Sequence, residues 1–470
     1  MDLYKNNPKL YNLAFELSNG INNQIFKILD ISIKFTFPTI FRKVIEKSLK
    51  FISTQERKEI FQRNINNKRV EIKAENIEIL LSRIKANLFY AKNELDKEGL
   101  YTVFSQTYRK TRNYPKNNYL SGLNNRLFTV KLQGEGATDV NGVYNEILSI
   151  ISFELESKYL DLFIKTPNNK NDIGHNRDKY MPNPLAKSNL QKDMYYFIGN
   201  LMLHSLTSGN VLSLNLHPIF YKKLLNYEIS FKDIETVDKL SYKFITSLEA
   251  IKDEIEFKEK HNDLFFAVHS SSDNSLIDLK KDGQNIKVTF EKLPEYIKLY
   301  KEFLIKEIDE QVSFIKKGIF DILDESLSLL LTPQDLEEFI CGKPYLDIQL
   351  LRERTRYDGY ESDSPIIANF WKALESFNED EKSKYLRFVS GRSRLPDPRN
   401  IYFEHKIQVY QHKTPDKRMP TSATCYFSLK LPKYSTYEIL RDRLRYVINN
   451  CCSIDIDFFP EDGGEAFNEV

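Results

Sequence analysis

Cys425 is the residue whose surroundings best suit a nucleophile. It stands in Met419-Pro420-Thr421-Ser422-Ala423-Thr424-Cys425-Tyr426-Phe427, behind a polar, proline-punctuated loop and at the start of a strand-like run. A cysteine at a loop–strand junction can be partly exposed, as an attacking thiolate must be. These residues alone leave a second reading open, in which Cys425 is a small core side chain. His405 and His412 precede it and invite a Cys–His hydrolase reading. Lys406 to Lys413 is a mixed polar segment with no third orienting group, so both histidines read as ordinary surface or strand residues. The other thiols, Cys341, Cys451 and Cys452, form no C-x-x-C pair and keep no zinc spacing. Asp273, Asp278 and Asp282 miss calcium-loop spacing, and Gly134 and Gly136 lack the Gly-Lys-Ser/Thr of a phosphate loop. No metal, nucleotide or organic cofactor is expected.

The elements that must hold Cys425 come in two textures. Residues 1 to about 100 read as helical, and Val70 to Leu95 carries Ile72, Ile77, Leu80, Leu81, Ile84, Leu88 and Phe89 on one helical face, a packing helix. A short strand-like Val130-Lys131-Leu132 then leads through a turn-rich segment into a helix at Tyr144 to Tyr159. A further helix is expected at Met194 to Ser208, amphipathic helices through 230 to 317, and a strand at Ile286–Phe290. After a helical Pro333 to Ile340, Gly342-Lys343-Pro344 interrupts the pattern as a hinge would, since glycine frees φ and proline stops a helix. Beyond it come strand signals at Lys406–Tyr410 and Cys425–Leu429 and an amphipathic helix at Ser435–Asn449. The class is α+β in two lobes with a helical extension in front.

At 470 residues the chain is long enough for two or three domains. A 41% hydrophobic and 29% charged composition is that of a globular chain rather than a disordered one. Sixty-eight basic against 66 acidic residues leave +2, which argues against a protein built mainly to grip nucleic acid. The N-terminus lacks a secretory pattern, and no apolar run approaches the roughly 20 residues of a membrane span. A cytoplasmic location is expected, with the nucleus also open to it.

The sequence around Cys425 resembles the active-cysteine segment of HECT ubiquitin ligases. That pattern is Leu-Pro, small polar residues, Thr-Cys, then Leu-x-Leu-Pro-x-Tyr-Ser; Pro420, Thr424, Cys425, Leu429, Leu431, Pro432, Tyr434 and Ser435 match it. Upstream, Leu386-Arg387-Phe388-Val389-Ser390-Gly391, Arg394-Leu395-Pro396, Thr355 to Tyr360 and Phe370-Trp371 fit in order. Further matches are the Gly134-Glu135-Gly136 segment, Phe197-Ile198-Gly199, Phe220 to Leu225, Asp278 to Thr289, and Phe339 to Gly342. The resemblance covers roughly residues 105 to 455 and is greatest to the HERC-like branch, without propeller repeats. Three departures stand out. Ala423 replaces a histidine common two residues before the cysteine, Asn141 replaces one of paired glycines, and the family's Gly-Phe near the end is Cys452-Ser453-Ile454, with sixteen residues after it.

The resemblance implies a bilobal HECT domain: a helical extension at 1–104, a larger N-lobe at 105–341 with a conjugating-enzyme-binding subdomain near 232–305, a hinge at 342–344 (Gly342, Lys343, Pro344), and a C-lobe at 345–470. It implies ubiquitin carried as a thioester on Cys425, flanked by Thr424, and passed to a lysine of a protein substrate. Phe244, Leu248 and Ile251 on one helix and Tyr296 and Tyr300 on another would receive the conjugating enzyme; apart from the resemblance, both stripes read as core-facing. The acidic help for lysine transfer would come from Asp455 or Asp457. A HECT-shaped adaptor without transfer activity is the competing expectation.

Overall fold

The computed structural model describes residues 59, 61–65, 77–116, 118–121, 126–134, 142–343, 345–390, 394–395, 404–423 and 427–450. These fall into two compact units, one within Met1–Ala137 and Ile151–Cys341, the other within Thr138–Ile150 and Gly342–Val470. The fold is α+β.

In the first unit a strand, β1 (Glu78–Leu81), precedes a helix, α1 (Arg83–Lys92). The continuous helix expected over Val70 to Leu95 is therefore wrong at 78–81. There Ile79 and Leu81 point inward and Glu78 and Leu80 outward, a period of two that fits a half-buried strand. β1 pairs in parallel with β2 (Thr129–Leu132), the strand expected around Val130. Ser82 then caps α1 by accepting from the Lys85 N–H.

Two carboxylates hold the start of α2 (Val103–Thr111). Asp96 accepts from the N–H groups of Leu100, Tyr101 and Thr102 at 2.8–3.0 Å. Glu154, on α3 (Gly142–Leu155), accepts from Val103 and Phe104 at 2.7 and 2.6 Å and from the Tyr90 hydroxyl. Negative charge suits these orphan donors at a helix N-terminus. Burial nevertheless pushes the Glu154 carboxyl up to about 7, while the three N–H groups hold Asp96, less deeply buried, below its ordinary value.

Two short strands, β3 (Phe163–Lys165) and β4 (Tyr180–Pro182), pair antiparallel before the long α4 (Asn189–Ser208). A capping box of Ser188 and Gln191 starts α4, and Gly209, with φ of 77°, ends it. α4 is buried along almost all of Met194 to Ser208 and lies against α9 (Asp309–Phe320). Gly199 and Gly318 make that approach possible: a Cβ at either would drive into the backbone carbonyl of Ile315 or Tyr196. Between them come α5 (Pro218–Leu224) and a smaller layer of α6 (Lys239–Glu249), α7 (Glu254–His261), β5 (Ala267–His269), β6 (Leu276–Asp278) and α8 (Leu293–Lys306). No strand forms at Ile286–Phe290. The segment runs between 3₁₀ turns at Gly283–Asn285 and Phe290–Lys292, and only a Phe265–Lys287 bridge pairs it. α10 (Pro333–Cys341) ends the unit, its start boxed by Thr332 and Asp335.

The second unit has one sheet of order β7-β8-β10-β9: β7 (Thr355–Asp358), β8 (His405–Tyr410), β9 (Thr421–Ala423) and β10 (Ser428–Pro432). β7, β8 and β10 run parallel, and β9 is antiparallel to β10. The helices α11 (Ile348–Glu353), α12 (Pro365–Ser376), α13 (Glu379–Ser390) and α14 (Tyr437–Asn450) share with the sheet a single core that includes Phe370, Leu386, Ile407, Leu429, Leu431 and Leu444. The strand expected at Cys425–Leu429 begins at Ser428. Among the described residues no helix is long and apolar enough to cross a membrane.

Candidate functional site

Cys425 and Thr424 lie outside the described residues, as do Asp455, Asp457 and Pro344. What surrounds the cysteine segment is described closely. Ala423 stands opposite Ser428, Ser422 opposite Leu429 and Thr421 opposite Lys430. Four residues, 424–427, lie in sequence between these two paired strand ends, and Cys425 is the second of them. The register is anchored in the core, because Leu429 and Leu431 are fully buried while Lys430 between them is exposed. A slip by one residue would turn both leucines to solvent.

The residues after the hairpin fasten the loop before it. The Tyr434 hydroxyl donates to the Arg418 carbonyl at 2.7 Å. Ser435 donates its N–H and hydroxyl to the two Asp416 carboxylate oxygens at 2.8 and 2.7 Å, which holds the Asp416 carboxyl below its ordinary value. Tyr360 reaches across to the Leu431 carbonyl at 2.7 Å, and Trp371 Nε1 donates to the Tyr357 hydroxyl at 3.0 Å. The Leu-Pro-x-Tyr-Ser run is thus a brace for the chain entering β9.

His405 opens β8, the strand paired with β10. It is a strand residue, as expected, but fully buried rather than on the surface. Its Nδ1 lies 2.8 Å from Thr355 Oγ1 and its Nε2 2.9 Å from the Tyr385 hydroxyl. Thr355 uses its own hydrogen on the Leu351 carbonyl, so it must accept from Nδ1–H, and Nε2 accepts from Tyr385. Burial pushes the imidazole down to about 3, so it is neutral. No base for Cys425 is available from this ring. His412 is partly exposed, and its Nε2 accepts from Arg418 Nε at 2.9 Å.

The expected docking stripes divide. Leu248 is 1% and Tyr296 2% exposed, both inside a small core with Phe257, Phe266, Val288 and Leu293. They cannot anchor a partner from there, which corrects the reading of these two as interface residues. Phe244, Ile251 and Tyr300 lie on the rim of the same core, partly exposed. The rings of Phe244 and Tyr300 are 6.3 Å apart, and the Tyr300 hydroxyl lies 3.2 Å from Ser241 Oγ. Exposed apolar side chains that helix spacing does not single out lie in the same region: Leu240, Phe265, Leu276 and Ile255, the last 72% exposed. Ile255 could have been noticed as a lone apolar residue between Glu254 and Glu256.

At the expected hinge Gly342 has φ of 81°, a backbone few other residues adopt. It is buried, a Cβ there would strike the Leu395 carbonyl, and its own carbonyl accepts from Arg394 Nη1 at 3.2 Å. Lys343 lies 3.4 Å from Asp347. Cys341, just before, is fully buried with the Tyr221 hydroxyl 3.2 Å from its sulfur, a core thiol rather than a reactive one.

A family model for the HECT-domain (ubiquitin-transferase) matches residues 149–457, well over half of the chain. This chain belongs to the HECT family. Its similarity to named members extends further toward the N-terminus. It is 34% identical over 385 residues to the E3 ubiquitin-protein ligase HERC2 of Homo sapiens, covering 80% of this chain. It is 30% identical over 359 residues to HUWE1 of Mus musculus and 30% over 325 residues to a TOM1-like ligase of Neurospora crassa, covering 74% and 67% of this chain. The matched part spans 8% of the length of each of these relatives. The HECT segment holds both Cys425 and the Phe244–Tyr300 region.

Proposed function

We propose that this HECT chain accepts ubiquitin from a conjugating enzyme as a thioester on Cys425 and passes it to a lysine of a protein substrate. The observation that carries the reading is the braced hairpin. The family's Thr-Cys pair falls in a short connection whose two ends are fixed by strand register, and the motif residues Tyr434 and Ser435 tie down the loop leading in. Transfer between two thioesters is nearly isoenergetic, so the protein must supply thiolate character and position more than driving force. Thr424 flanks the thiol. The second step consumes a lysine amine that is protonated at neutral pH, and Asp455 or Asp457 would orient it or take its proton. Phe244, Ile251 and Tyr300, with exposed neighbours such as Ile255, are the face offered to the conjugating enzyme; Gly342, Lys343 and Pro344 form the pivot.

The test is incubation of the chain with ubiquitin-charged conjugating enzyme, followed by electrophoresis with and without thiol. A thiol-sensitive ubiquitin adduct is expected, and Cys425→Ala should abolish it, a loss beyond about a thousandfold because covalent catalysis has no fallback nucleophile. An adduct that persists in Cys425→Ala would move the acceptor elsewhere. Docking without any adduct in the parent chain would make it an adaptor, the outcome to which Ala423, in place of the family's histidine, lends weight.

A further inference from the structure

The residue that closes the hairpin is in a conformation its side chain disfavours. Phe427 has φ of 46°. Left-handed backbone at the end of a short hairpin connection is ordinarily given to glycine or asparagine, because a Cβ there crowds the following carbonyl. A phenylalanine in that region is an outlier, and such outliers persist only where the surroundings over-determine them.

Here the surroundings can be named. The Phe427 carbonyl accepts from the Lys406 N–H at 2.9 Å, one residue along from His405. Its ring lies on the His405 imidazole with centroids 5.0 Å apart, tilted by 54°. That imidazole cannot turn, since Thr355 and Tyr385 hold its two nitrogens from opposite ends. Phe427 also packs against the core of the second unit. A buried neutral histidine with every polar atom satisfied has no acid–base work to do. Its rigidity is what remains to be explained.

We infer that Phe427, seated on the locked His405 ring, is a positioning residue for the transfer at Cys425, two residues before it in sequence: its aromatic anchor fixes where the chain that follows the cysteine enters β10. This rests on Cys425 being the acceptor. The bond formed and the leaving group stay those of the proposed transfer; only the fraction of time in attacking geometry changes. Misplacement by an ångström can cost up to about a hundredfold in rate, and loss of one anchor of several should cost about tenfold.

The test uses the full chain with Phe427→Gly, Phe427→Asn and Phe427→Tyr. Glycine and asparagine keep the left-handed backbone and remove the phenyl ring, whereas tyrosine keeps the ring. Charging by ubiquitin-loaded conjugating enzyme is measured as kcat and KM, with mass-spectrometric mapping of the modified cysteine. Fluorescence of Trp371, the only tryptophan and a core residue of the second unit, reports the fold. The expected result is kcat about tenfold lower for Phe427→Gly and Phe427→Asn, KM within twofold, the Trp371 emission of the folded parent retained, and near-parental charging by Phe427→Tyr. A kcat within twofold of the parent overturns the inference, as does a loss residing in KM or accompanied by the Trp371 emission of an unfolded chain. If the parent itself charges at another cysteine, the proposed acceptor falls, and that result is distinct from all of these.

Discussion

The Phe244–Tyr300 region and the Cys425 hairpin are both sites suggested by motif, yet the structure treats them differently. In the first, helix periodicity gathers Phe244, Leu248 and Ile251 on one stripe and Tyr296 and Tyr300 on another, but a stripe has width. Its inner members, Leu248 and Tyr296, fill the small core, and its outer members, Phe244, Ile251 and Tyr300, form the rim. In the second, strand register leaves no such width: Ala423 faces Ser428, and the chain between them has four residues. A helical face identifies a neighbourhood; a register narrows it to four residues.

The largest effect that would break this contrast belongs to the inner pair. Leu248→Ala and Tyr296→Ala should each lower stability by roughly 2–5 kcal/mol, the range for emptying a well-packed site, with the melting transition as the measure. If either variant melts like the parent but loses affinity for the conjugating enzyme, the residue is at the interface and the division is wrong.

Gly342 sharpens the other side. A residue of positive φ pressed on the Leu395 carbonyl does not tolerate alanine. Gly342→Ala should cost about 1–3 kcal/mol, the range for a non-glycine residue held in a strained backbone, read as a lower melting temperature. A parental melting temperature would show that the contact with the Leu395 carbonyl does not hold this backbone. The outer pair comes next. Phe244→Ala and Tyr300→Ala should weaken conjugating-enzyme binding by about 1–2 kcal/mol, roughly tenfold, with charging rescued at high enzyme concentration. Unchanged affinity in both would shift the docking face toward Leu240, Ile255 and Leu276.

Much of the second unit could be read beforehand, because alternation in β8 and the helix at Tyr437–Asn450 are local signals. The strand at Glu78–Leu81 could not. Its residues Leu80 and Leu81 fit a helical stripe as well as a strand, and the partner at Thr129–Leu132, about fifty residues away, decides between them. The Ile286–Phe290 segment failed for the opposite reason: its β-branched residues are there, but its neighbours offer it a single bridge. His405 escaped notice as part of the site because its partners Thr355 and Tyr385 lie 50 and 20 residues off in sequence. No local pattern could show that both ring nitrogens are held, or that Phe427 rests on them.

The smallest expected effect concerns residues beyond the last described helix. If Asp455 and Asp457 assist the lysine, they act in the second transfer and leave the first untouched. Two carboxylates one residue apart, with Glu461 and Asp462 close behind in sequence, can substitute for one another. Neutralising the pair should then fall well short of the roughly hundredfold loss from removing a fixed general base; about fivefold is expected. The measurement is a pulse-chase with Asp455→Asn combined with Asp457→Asn, in which Cys425 is charged, the conjugating enzyme is quenched, and free lysine is added. Normal charging with slower discharge would support the role. The deficit should also shrink as pH rises, since more of the lysine then arrives already deprotonated and needs no acceptor for its proton. Discharge at the parental rate throughout would leave the hairpin and its braces as the whole of the chemical site.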